Sequence, residues 1–265
     1  MAHLNLRGRD LGPVRGVLFD KDGTLSHSEP RLIELADDRI EESARRFQQR
    51  GACGTTVLEL KDLLKRTFGR SLDGVIPDGT LAVASRHHNL LSTATVFCQM
   101  DLSWPESLLL AEEVFDQVDA RTQTRHPGGQ SVGLLPDAAR LLRDLADAGI
   151  ICAVISNDTT AGIQQFLNQH QLNDCISGLW SADHHPAKPD RGAVQGLCSL
   201  LNLSVETCAL IGDADTDLLM ARQAGIGLTL GYVAGWHREP TLTGHEHLIS
   251  HWSELTATTD EMSKG

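Results

Sequence analysis

The second half of the chain alternates between short, continuously apolar runs and longer segments in which apolar residues recur with a helical period. Residues that typically begin or end helices bound the longer segments: Thr159 or Thr160 before one of them, and Gly149 and Gly225 after two others. Strands that alternate with helices are typical of a parallel sheet with helices on both faces, and continuous apolar runs suit strands that are covered on both sides. The predicted strands of this α/β core are 14–19, 150–155, 176–183, 207–212, 226–233 and a weaker one at 247–250.

The segment that follows the first strand has a different pattern. Between about 27 and 125 the apolar residues indicate helices and no convincing strand. Ser103, just before Pro105, has the position of an N-cap residue, and RHPGGQ at 125–130 has the composition of a linker. The predicted helices are 29–49, 56–68, 80–100 and 105–123.

These patterns predict two domains. Residues 1–26 and 127–265 are expected to form a core with a Rossmann-like parallel sheet, and residues 27–126 an all-α domain inserted after its first strand. In open sheets of this kind, ligands bind outside the carboxyl ends of the strands. Polar residues that follow the predicted strands are therefore the candidates for a functional site.

Composition and charge restrict the classes of partner. The chain has 265 residues, 41% of them hydrophobic, and its net charge of −12 disfavours nucleic acid or an anionic membrane, because both reward clustered Lys and Arg. No segment approaches the roughly 20 continuous apolar residues of a membrane span. The six cysteines form no C-x-x-C pair, which favours reduced thiols in a cytoplasmic protein. Nothing in the sequence indicates an oligomeric state.

Carboxylates collect at two predicted strand ends. Asp20 and Asp22 follow the first strand, and Asp213 follows the strand at 207–212, with Asp217 a few residues later. Several carboxylates at one sheet edge would repel one another, and burying an unpaired charge is costly. A hard divalent cation removes the conflict, and Mg²⁺ commonly takes one or two carboxylates together with waters and a substrate phosphate. The sequence therefore predicts Mg²⁺ as a cofactor.

Groups suited to holding a phosphate lie at the same edge. Ser156 and Asn157 follow the strand at 150–155, and Lys188 lies in HHPAKPD, where the flanking prolines suit a loop that presents a side chain. The serine hydroxyl and the N–H groups at a helix start can bind phosphate oxygens, and the lysine adds a positive charge. A carboxylate nucleophile that forms an aspartyl-phosphate is known chemistry for phosphoryl transfer. The expected partner is a small phosphorylated metabolite.

Four segments resemble, in order, the motifs of the haloacid dehalogenase-like hydrolase superfamily: DKDGTL at 20–25, ISND at 155–158, AKPD at 187–190 and GDADTD at 212–217. The flanking LLPDAARLLRDLADAGI and DLLMARQAGI resemble its phosphoglycolate phosphatase-like branch, which carries a helical cap between the first two motifs. The resemblance spans nearly the whole predicted core. It implies that residues 27–126 are such a cap domain.

The resemblance implies metal and proton-transfer roles for the acids. Asp20 would be the nucleophile and a Mg²⁺ ligand. Asp22 would be the general acid and base and would also ligate Mg²⁺ through its backbone carbonyl, while Gly23 permits the turn. Asp213 would ligate Mg²⁺ directly, and Asp217 would act on the outer shell of the metal or on its waters.

The resemblance also implies contacts with the phosphoryl group. Ser156 would hydrogen-bond it, with Asn157 close behind, and Lys188 would bridge Asp20 and the phosphoryl oxygens. Thr24 would help order the loop that binds the substrate. These residues complete the predicted site.

The acid two residues after the nucleophile separates the reactions of this superfamily. Dehalogenase and phosphonatase relatives lack it, whereas here it is Asp22, and mutase relatives carry a cap histidine at a place held here by Leu32. A phosphatase that hydrolyses a small phosphomonoester, phosphoglycolate-like or a sugar phosphate, is the leading hypothesis, with nucleotides also open as substrates. The alternatives are a phosphomutase and a non-catalytic phosphometabolite-binding protein, although the complete set of acids and Lys188 speaks against the second.

Three further positions stand near the motifs without a clear role. Lys21 replaces a commoner apolar residue, and the alternation of an extended backbone should direct its side chain away from the nucleophile. His27 lies just past the first motif, where relatives often have Asp, and Asp215 is expected to be a loop or cap residue. The adjacent histidine pairs at 87–88 and 184–185 lack the i, i+4 spacing of two metal ligands on one helix face.

Overall fold

The computed structural model describes residues 2–126 and 132–259. They form two compact units: Met1–Ser28 with Ser131–Gly265, here called the core unit, and Glu29–Gln130, here called the helical unit. Most of the predicted linker at 125–130, and the predicted start of the second core segment at 127, lie outside the described residues.

The strands are β1 (Ala2–Leu6), β2 (Arg9–Val14), β3 (Gly16–Phe19), β4 (Ser26–His27), β5 (Arg70–Ser71), β6 (Gly74–Val75), β7 (Gly133–Leu134), β8 (Ile151–Ile155), β9 (Gly178–Trp180), β10 (Cys208–Gly212), β11 (Leu228–Tyr232), β12 (His247–Ile249) and β13 (Leu255–Thr259). The helices are α1 (Glu29–Gln49), α2 (Gly54–Phe68), α3 (Thr80–Val83), α4 (Arg86–Gln99), α5 (Trp104–Arg125), α6 (Ala138–Asp147), α7 (Thr160–Gln169), α8 (Arg191–Leu200) and α9 (Asp215–Ala224).

Six strands of the core unit form one parallel sheet in the order β12-β11-β10-β3-β8-β9. β3 lies between β8 and β10, and its Leu18 pairs in register with Ala153 on one side and Leu210 on the other. This sheet confirms the predicted α/β core, including the weaker strand near 247–250. Because the strands are parallel, the residues that follow them emerge at one edge of the sheet.

Helices cover both faces of the parallel sheet. On one face Phe19 belongs to a core with Leu142 of α6 and Phe166 of α7. On the other face Leu18 belongs to a separate core with α8 and α9, which includes Val194. Successive residues of β3 thus point to opposite faces, as the pleat requires. Burial of one large apolar side chain contributes about 1.5–3 kcal/mol, so two such layers fix the position of the strand ends.

A second sheet in the core unit was not predicted. It is antiparallel, with the order β13-β1-β2, and Ala2, Leu4 and Leu6 of β1 pack into the same core as α6. The predicted strand at 14–19 is therefore divided at Arg15, which lies between β2 and β3. The partner strand β13 lies at the other end of the chain and is largely polar, so no local pattern marks the pairing.

The helical unit confirms most of the predicted helices. α1 has the predicted bounds, and α2 and α5 agree with the prediction within two residues at each end. The single predicted helix at 80–100 is wrong, because α3 ends at Val83 and a new helix begins after Ser85. The Ser85 side chain accepts a hydrogen bond from the His88 N–H at 3.3 Å and so caps α4.

The expectation of no strand between 27 and 125 is wrong in two places. β5 and β6 form an antiparallel hairpin, in which Gly74 has a φ of +140° that a residue with a Cβ adopts only with strain. His27 lies in β4, which pairs with β7 in the core unit. None of the helices among the described residues has the length and apolar character that a membrane span needs.

Candidate active site

The carboxyl ends of three neighbouring strands bring the predicted residues together. Asp20, Ser156 and Asp213 each directly follow the last residue of β3, β8 and β10. The Asp20 N–H donates to the Ile211 carbonyl at 2.9 Å, and the Ser156 N–H donates to the Trp180 carbonyl at 2.9 Å. These bonds continue the sheet by one residue beyond the strands, so the sheet itself orients the two side chains.

The centre of the site is a group of three buried carboxylates, here called the acidic trio: Asp20, Asp213 and Asp217. Each offers an oxygen that lies within 4.8 Å of the other two. Asp217 reaches the group from the first turn of α9, where its N–H donates to the Ala214 carbonyl at 3.0 Å. The trio is the one cluster of potential metal ligands found among residues 2–126 and 132–259.

Lys188 is the cation that the structure places against the acidic trio. Its Nζ lies 2.6 Å from Asp20 Oδ1 and 2.6 Å from Asp217 Oδ1, and it donates to the Ile155 carbonyl at 3.3 Å. The side chain is buried. Burial alone would lower the pKa of Lys188, but the two carboxylates outweigh it and raise that pKa above its usual value. The lysine is therefore charged.

The electrostatics of the trio favour a further cation. Burial raises the pKa of Asp20 to about 6, even though Lys188 acts against the shift. Burial also raises the pKa of Asp213 well above its usual value, and the neighbouring carboxylates of Asp20 and Asp217 add to the effect. When all three acids are ionised, the ammonium of Lys188 leaves two negative charges. Oxygen donors with that residual charge fit a hard divalent ion such as Mg²⁺.

Asp22 lies outside the trio and is held by its own set of donors. Its Oδ1 accepts hydrogen bonds from the hydroxyls of Ser28 and Ser26, the latter at 3.2 Å, and lies 2.7 Å from Lys21 Nζ. The carboxylate is partly exposed. Several donors on one oxygen fix the rotation of this carboxyl group next to the trio.

Lys21 is buried, which the sequence did not indicate. Its side chain is 1% exposed, and its Nζ pairs with Asp158 Oδ2 at 3.1 Å as well as with Asp22. The ammonium also lies 5.7 Å from the centroid of the Phe166 ring on α7. Lys21 thus pairs with Asp22 and Asp158 rather than with Asp20.

The loop after β3 requires glycine. Gly23 has a φ of +81°, and a Cβ at this position would lie 2.4 Å from Asp213 Oδ2 and 2.4 Å from Trp236 Nε1. The next residue, Thr24, donates through Oγ1 to Asp213 Oδ1 at 3.0 Å. A side chain at position 23 would therefore disturb a member of the acidic trio directly.

Trp236 is a site residue that the sequence analysis missed. Its Nε1 donates to Asp213 Oδ2 at 2.5 Å, and the residue is buried. The preceding Gly235 allows this approach, because a Cβ there would lie 1.6 Å from the Gly23 carbonyl oxygen. The available signal was a tryptophan in an otherwise polar loop after β11, since a buried indole N–H normally finds an acceptor.

Ser156 and Asn157 begin the loop that leads to α7. Ser156 is buried, and its Oγ accepts from the Asp158 N–H at 3.1 Å. The cap of α7 is Thr159, whose hydroxyl accepts from the Gly162 N–H at 3.1 Å. Ser156 is therefore not needed as a helix cap, which leaves its hydroxyl at the sheet edge available for another role.

Two nearby residues lie apart from the site. Asp215 accepts hydrogen bonds from the N–H groups of Thr243 and Gly244, each at 2.8 Å, so it fixes a loop as expected. His27 is exposed on β4. Neither residue belongs to the acidic trio.

A family model described as haloacid dehalogenase-like hydrolase matches residues 14–225. The chain belongs to the haloacid dehalogenase-like hydrolase family. The resemblance noted from the four motifs is thereby confirmed, and this chain is an enzyme of the hydrolase class, as expected.

Relatives of this hydrolase carry a common name. The phosphoglycolate phosphatase of Vibrio cholerae is 27% identical over 241 residues, which cover 89% of this chain and 92% of the relative. The phosphoglycolate phosphatase of Yersinia pestis is 28% identical over 247 residues, 91% of both chains. A solved structure from Haemophilus somnus 129PT, described as a predicted phosphoglycolate phosphatase, aligns with a TM-score of 0.60 at 16% identity, over 92% of this chain and 97% of that one. At that identity the structural match supports the fold class alone.

Proposed function

We propose that this hydrolase is a Mg²⁺-dependent phosphatase that cleaves a small phosphomonoester through an aspartyl-phosphate on Asp20. The observation that carries the proposal is the buried acidic trio with Lys188 placed between two of its carboxylates. The trio suits a hard divalent ion, and a lysine beside the nucleophile suits the phosphoryl oxygens. Asp213 would hold the ion together with Asp20 and the backbone carbonyl of Asp22, and Asp217 would act on the outer shell of the ion or on its waters.

Asp20 is the residue placed to attack phosphorus. The sheet bond of its N–H and the contact of its Oδ1 with Lys188 fix its carboxylate, and the lysine favours the ionised form. A carboxylate oxygen of Asp20 bonds to phosphorus while the bond to the leaving oxygen breaks. Mg²⁺, when bound, supplies positive charge that offsets the charge of the transferring group. Lys188, from the loop before α8, adds a second positive charge next to Asp20.

Asp22 is placed to move the protons. Its carboxyl donates a proton to the leaving oxygen in the first step. In the second step the resulting carboxylate takes a proton from the water that attacks phosphorus, which releases inorganic phosphate and restores Asp20. Ser26, Ser28 and Lys21 hold the carboxyl in one orientation for both steps.

Three polar residues complete the proposed site. Ser156 and Asn157 would bind the phosphoryl oxygens from the loop before α7, which is consistent with the capping of that helix by Thr159 instead. Thr24 acts through its bond to Asp213 and orders the substrate-binding loop.

The substrate is proposed from the relatives. Phosphoglycolate phosphatases at 27% and 28% identity over about nine-tenths of the chain favour phosphoglycolate or a phosphomonoester of similar size, with sugar phosphates next. Residues 27–126 are proposed as the cap domain, with 1–26 and 127–265 as the catalytic core. A cytoplasmic location remains a prediction.

The test is phosphate release from a panel of p-nitrophenyl phosphate, phosphoglycolate, sugar phosphates and nucleotides, with Mg²⁺ or with a chelator. We expect turnover of at least one small phosphomonoester that needs Mg²⁺ and falls by more than about 10³-fold in Asp20→Asn. Asp215→Asn, which removes a nearby acid that binds a loop, is the matched control. Folded, Mg²⁺-loaded protein that releases phosphate from no substrate would contradict the proposal and favour a phosphomutase or a binding protein.

A further inference from the structure

Arg39 in the middle of α1 is a buried cation that the described residues leave without a bonded partner. It is 3% exposed, and its Nε is buried with no hydrogen-bond partner. Among the residues that the structure describes, its guanidinium makes no hydrogen bond and no ion pair. The guanidinium lies over the Phe115 ring of α5, whose centroid is 3.8 Å from the guanidinium carbon.

Several other arginines of the helical unit are paired with acids, whereas Arg39 is not paired with any described residue. Arg46 donates to Glu42 at 2.9 Å, and Arg121 donates to the same carboxylate at 2.6 Å. Asp119 is the acid that raises the pKa of Arg39, yet its carboxylate accepts a hydrogen bond from Arg86 Nε at 2.7 Å. The acids that could have compensated Arg39 are therefore engaged by other cations.

Arg39 stays charged despite its burial. Burial lowers its pKa to about 10, Asp119 acts against the shift, and the nearby cations Arg86 and Arg31 add to it. A pKa of about 10 still leaves the guanidinium protonated at neutral pH. Desolvation of an ion is costly, and a cation–π contact offsets only part of that cost. The ring of Phe115 alone does not balance this charge.

Two further cations, Arg86 and Arg31, lie close enough to Arg39 to lower its pKa. The Arg86 guanidinium carbon lies 5.4 Å from the Phe115 centroid. Arg31, two turns before Arg39 on α1, is half-buried and forms no ion pair with any described residue. Guanidinium groups present planar forks of N–H donors that match carboxylate and phosphate oxygens.

We propose that Arg39, supported by Arg31 and Arg86, binds a small oxyanion, the carboxylate or phosphate group of a small metabolite, inside the helical unit. The anion would accept the N–H groups of Arg39 that the described residues leave unbonded, and it would balance the buried charge. This site is separate from the acidic trio and does not depend on the phosphatase proposal.

The test compares the thermal stability of the full-length wild type, Arg39→Met and Arg66→Met in glycolate and in inorganic phosphate, at constant ionic strength. Arg66 is exposed and pairs with Asp62, so its replacement controls for the loss of one positive charge from the same unit. We expect a saturable rise in Tm for the wild type and Arg66→Met, and none for Arg39→Met. Without anion, Arg39→Met should be at least as stable as the wild type, because the uncompensated charge is gone.

Two further measurements separate this site from the acidic trio. The rise in Tm should persist in Lys188→Met, which removes the cation of the trio. Hydrogen exchange of the wild type should show anion-dependent protection in 29–49 and 104–125, and this readout holds even if Arg39→Met fails to fold. Protection by glycolate alone identifies a carboxylate ligand, protection by phosphate alone a phosphate ligand, and either result supports the site.

Three results would overturn the proposal. One is an equal anion response in the wild type and Arg39→Met. Another is anion-dependent protection confined to the core unit. The third is a wild type that does not respond to either anion while Arg39→Met loses stability, which would make Arg39 a packing residue that stacks on Phe115.

Discussion

Replacement of Trp236 by phenylalanine removes one hydrogen bond to a buried carboxylate and keeps an aromatic side chain at this position. In the wild type, Nε1 of Trp236 lies 2.5 Å from Asp213 Oδ2, while Thr24 Oγ1 donates to the other oxygen at 3.0 Å. The two donors hold the Asp213 carboxylate in one orientation. Phenylalanine leaves Oδ2 without this donor, so the carboxylate can rotate and its neutral form is favoured.

Two independent energy estimates give the expected loss of Mg²⁺ affinity. A hydrogen bond to a charged group contributes about 1.5–3 kcal/mol. Loss of a group that orients a metal ligand typically lowers metal affinity about 10- to 100-fold, and tenfold corresponds to about 1.4 kcal/mol. We therefore expect Trp236→Phe to bind Mg²⁺ roughly 10- to 100-fold more weakly. Competition between the indole N–H and the metal acts in the opposite direction, but each carboxylate oxygen has a second lone pair, so we expect orientation to dominate.

The assay is the Mg²⁺ dependence of Tm, with the Mg²⁺ dependence of phosphate release as a second readout. Trp104→Phe is the matched control, because Trp104 is 49% exposed at the start of α5 in the helical unit. Unchanged or tighter Mg²⁺ binding by folded Trp236→Phe would refute the reasoning. It would show either that Asp213 does not hold the metal or that the indole competes with it.

Three further outcomes test the same site. Asp217→Asn should weaken Mg²⁺ binding about 10- to 100-fold. Asp215→Asn, on the same helix, should change Mg²⁺ affinity less than about twofold, and equal effects of the two variants in metal titrations would contradict a role of Asp217 at the metal. Burial raises the pKa of Asp20 to about 6, so between about pH 4 and this value the folded protein holds a proton that the unfolded chain has released. Stability of the metal-free protein should therefore fall as pH rises through this window, and urea unfolding of Asp20→Asn should show a smaller pH slope; an equal slope would argue against the shift. Lys21→Met should slow hydrolysis of an alkyl phosphate about 10-fold more than that of p-nitrophenyl phosphate, because without Lys21 the carboxyl group of Asp22 is less well oriented, and only the poorer leaving group needs its proton. Equal losses in steady-state rates would contradict this role of Lys21.

The sequence predicted the features that depend on the pattern within a single strand or helix. Continuous apolar runs predicted the strands of the parallel sheet, and the polar residues after them, such as Asp20, Ser156 and Asp213, necessarily meet at one edge. The spacing of apolar residues predicted the bounds of α1 as well, because a helix of its length buries one face along its whole extent. In each case local pattern and tertiary structure agree.

The features that the sequence did not reveal depend on distant partners. β1 pairs with its neighbour β2 and, on its other side, with β13 at the other end of the chain. Lys21 would ordinarily be expected at the surface, and its burial is explained by the ion pairs with Asp22 and Asp158. Trp236 belongs to the site only because Gly235 lets its loop approach the Gly23 carbonyl. None of these contacts has a signal within its own segment.

The most direct test of the central claim is to trap the covalent intermediate. The wild type would be mixed with a turning-over phosphomonoester and Mg²⁺, quenched, reduced with borohydride and mapped by mass spectrometry, with Asp20→Asn treated in parallel. Reduction of an aspartyl-phosphate converts the aspartate to homoserine, so the account predicts homoserine at position 20 in the wild type alone. Turnover without modification at position 20, or modification of another acid such as Asp22, would contradict an aspartyl-phosphate on Asp20.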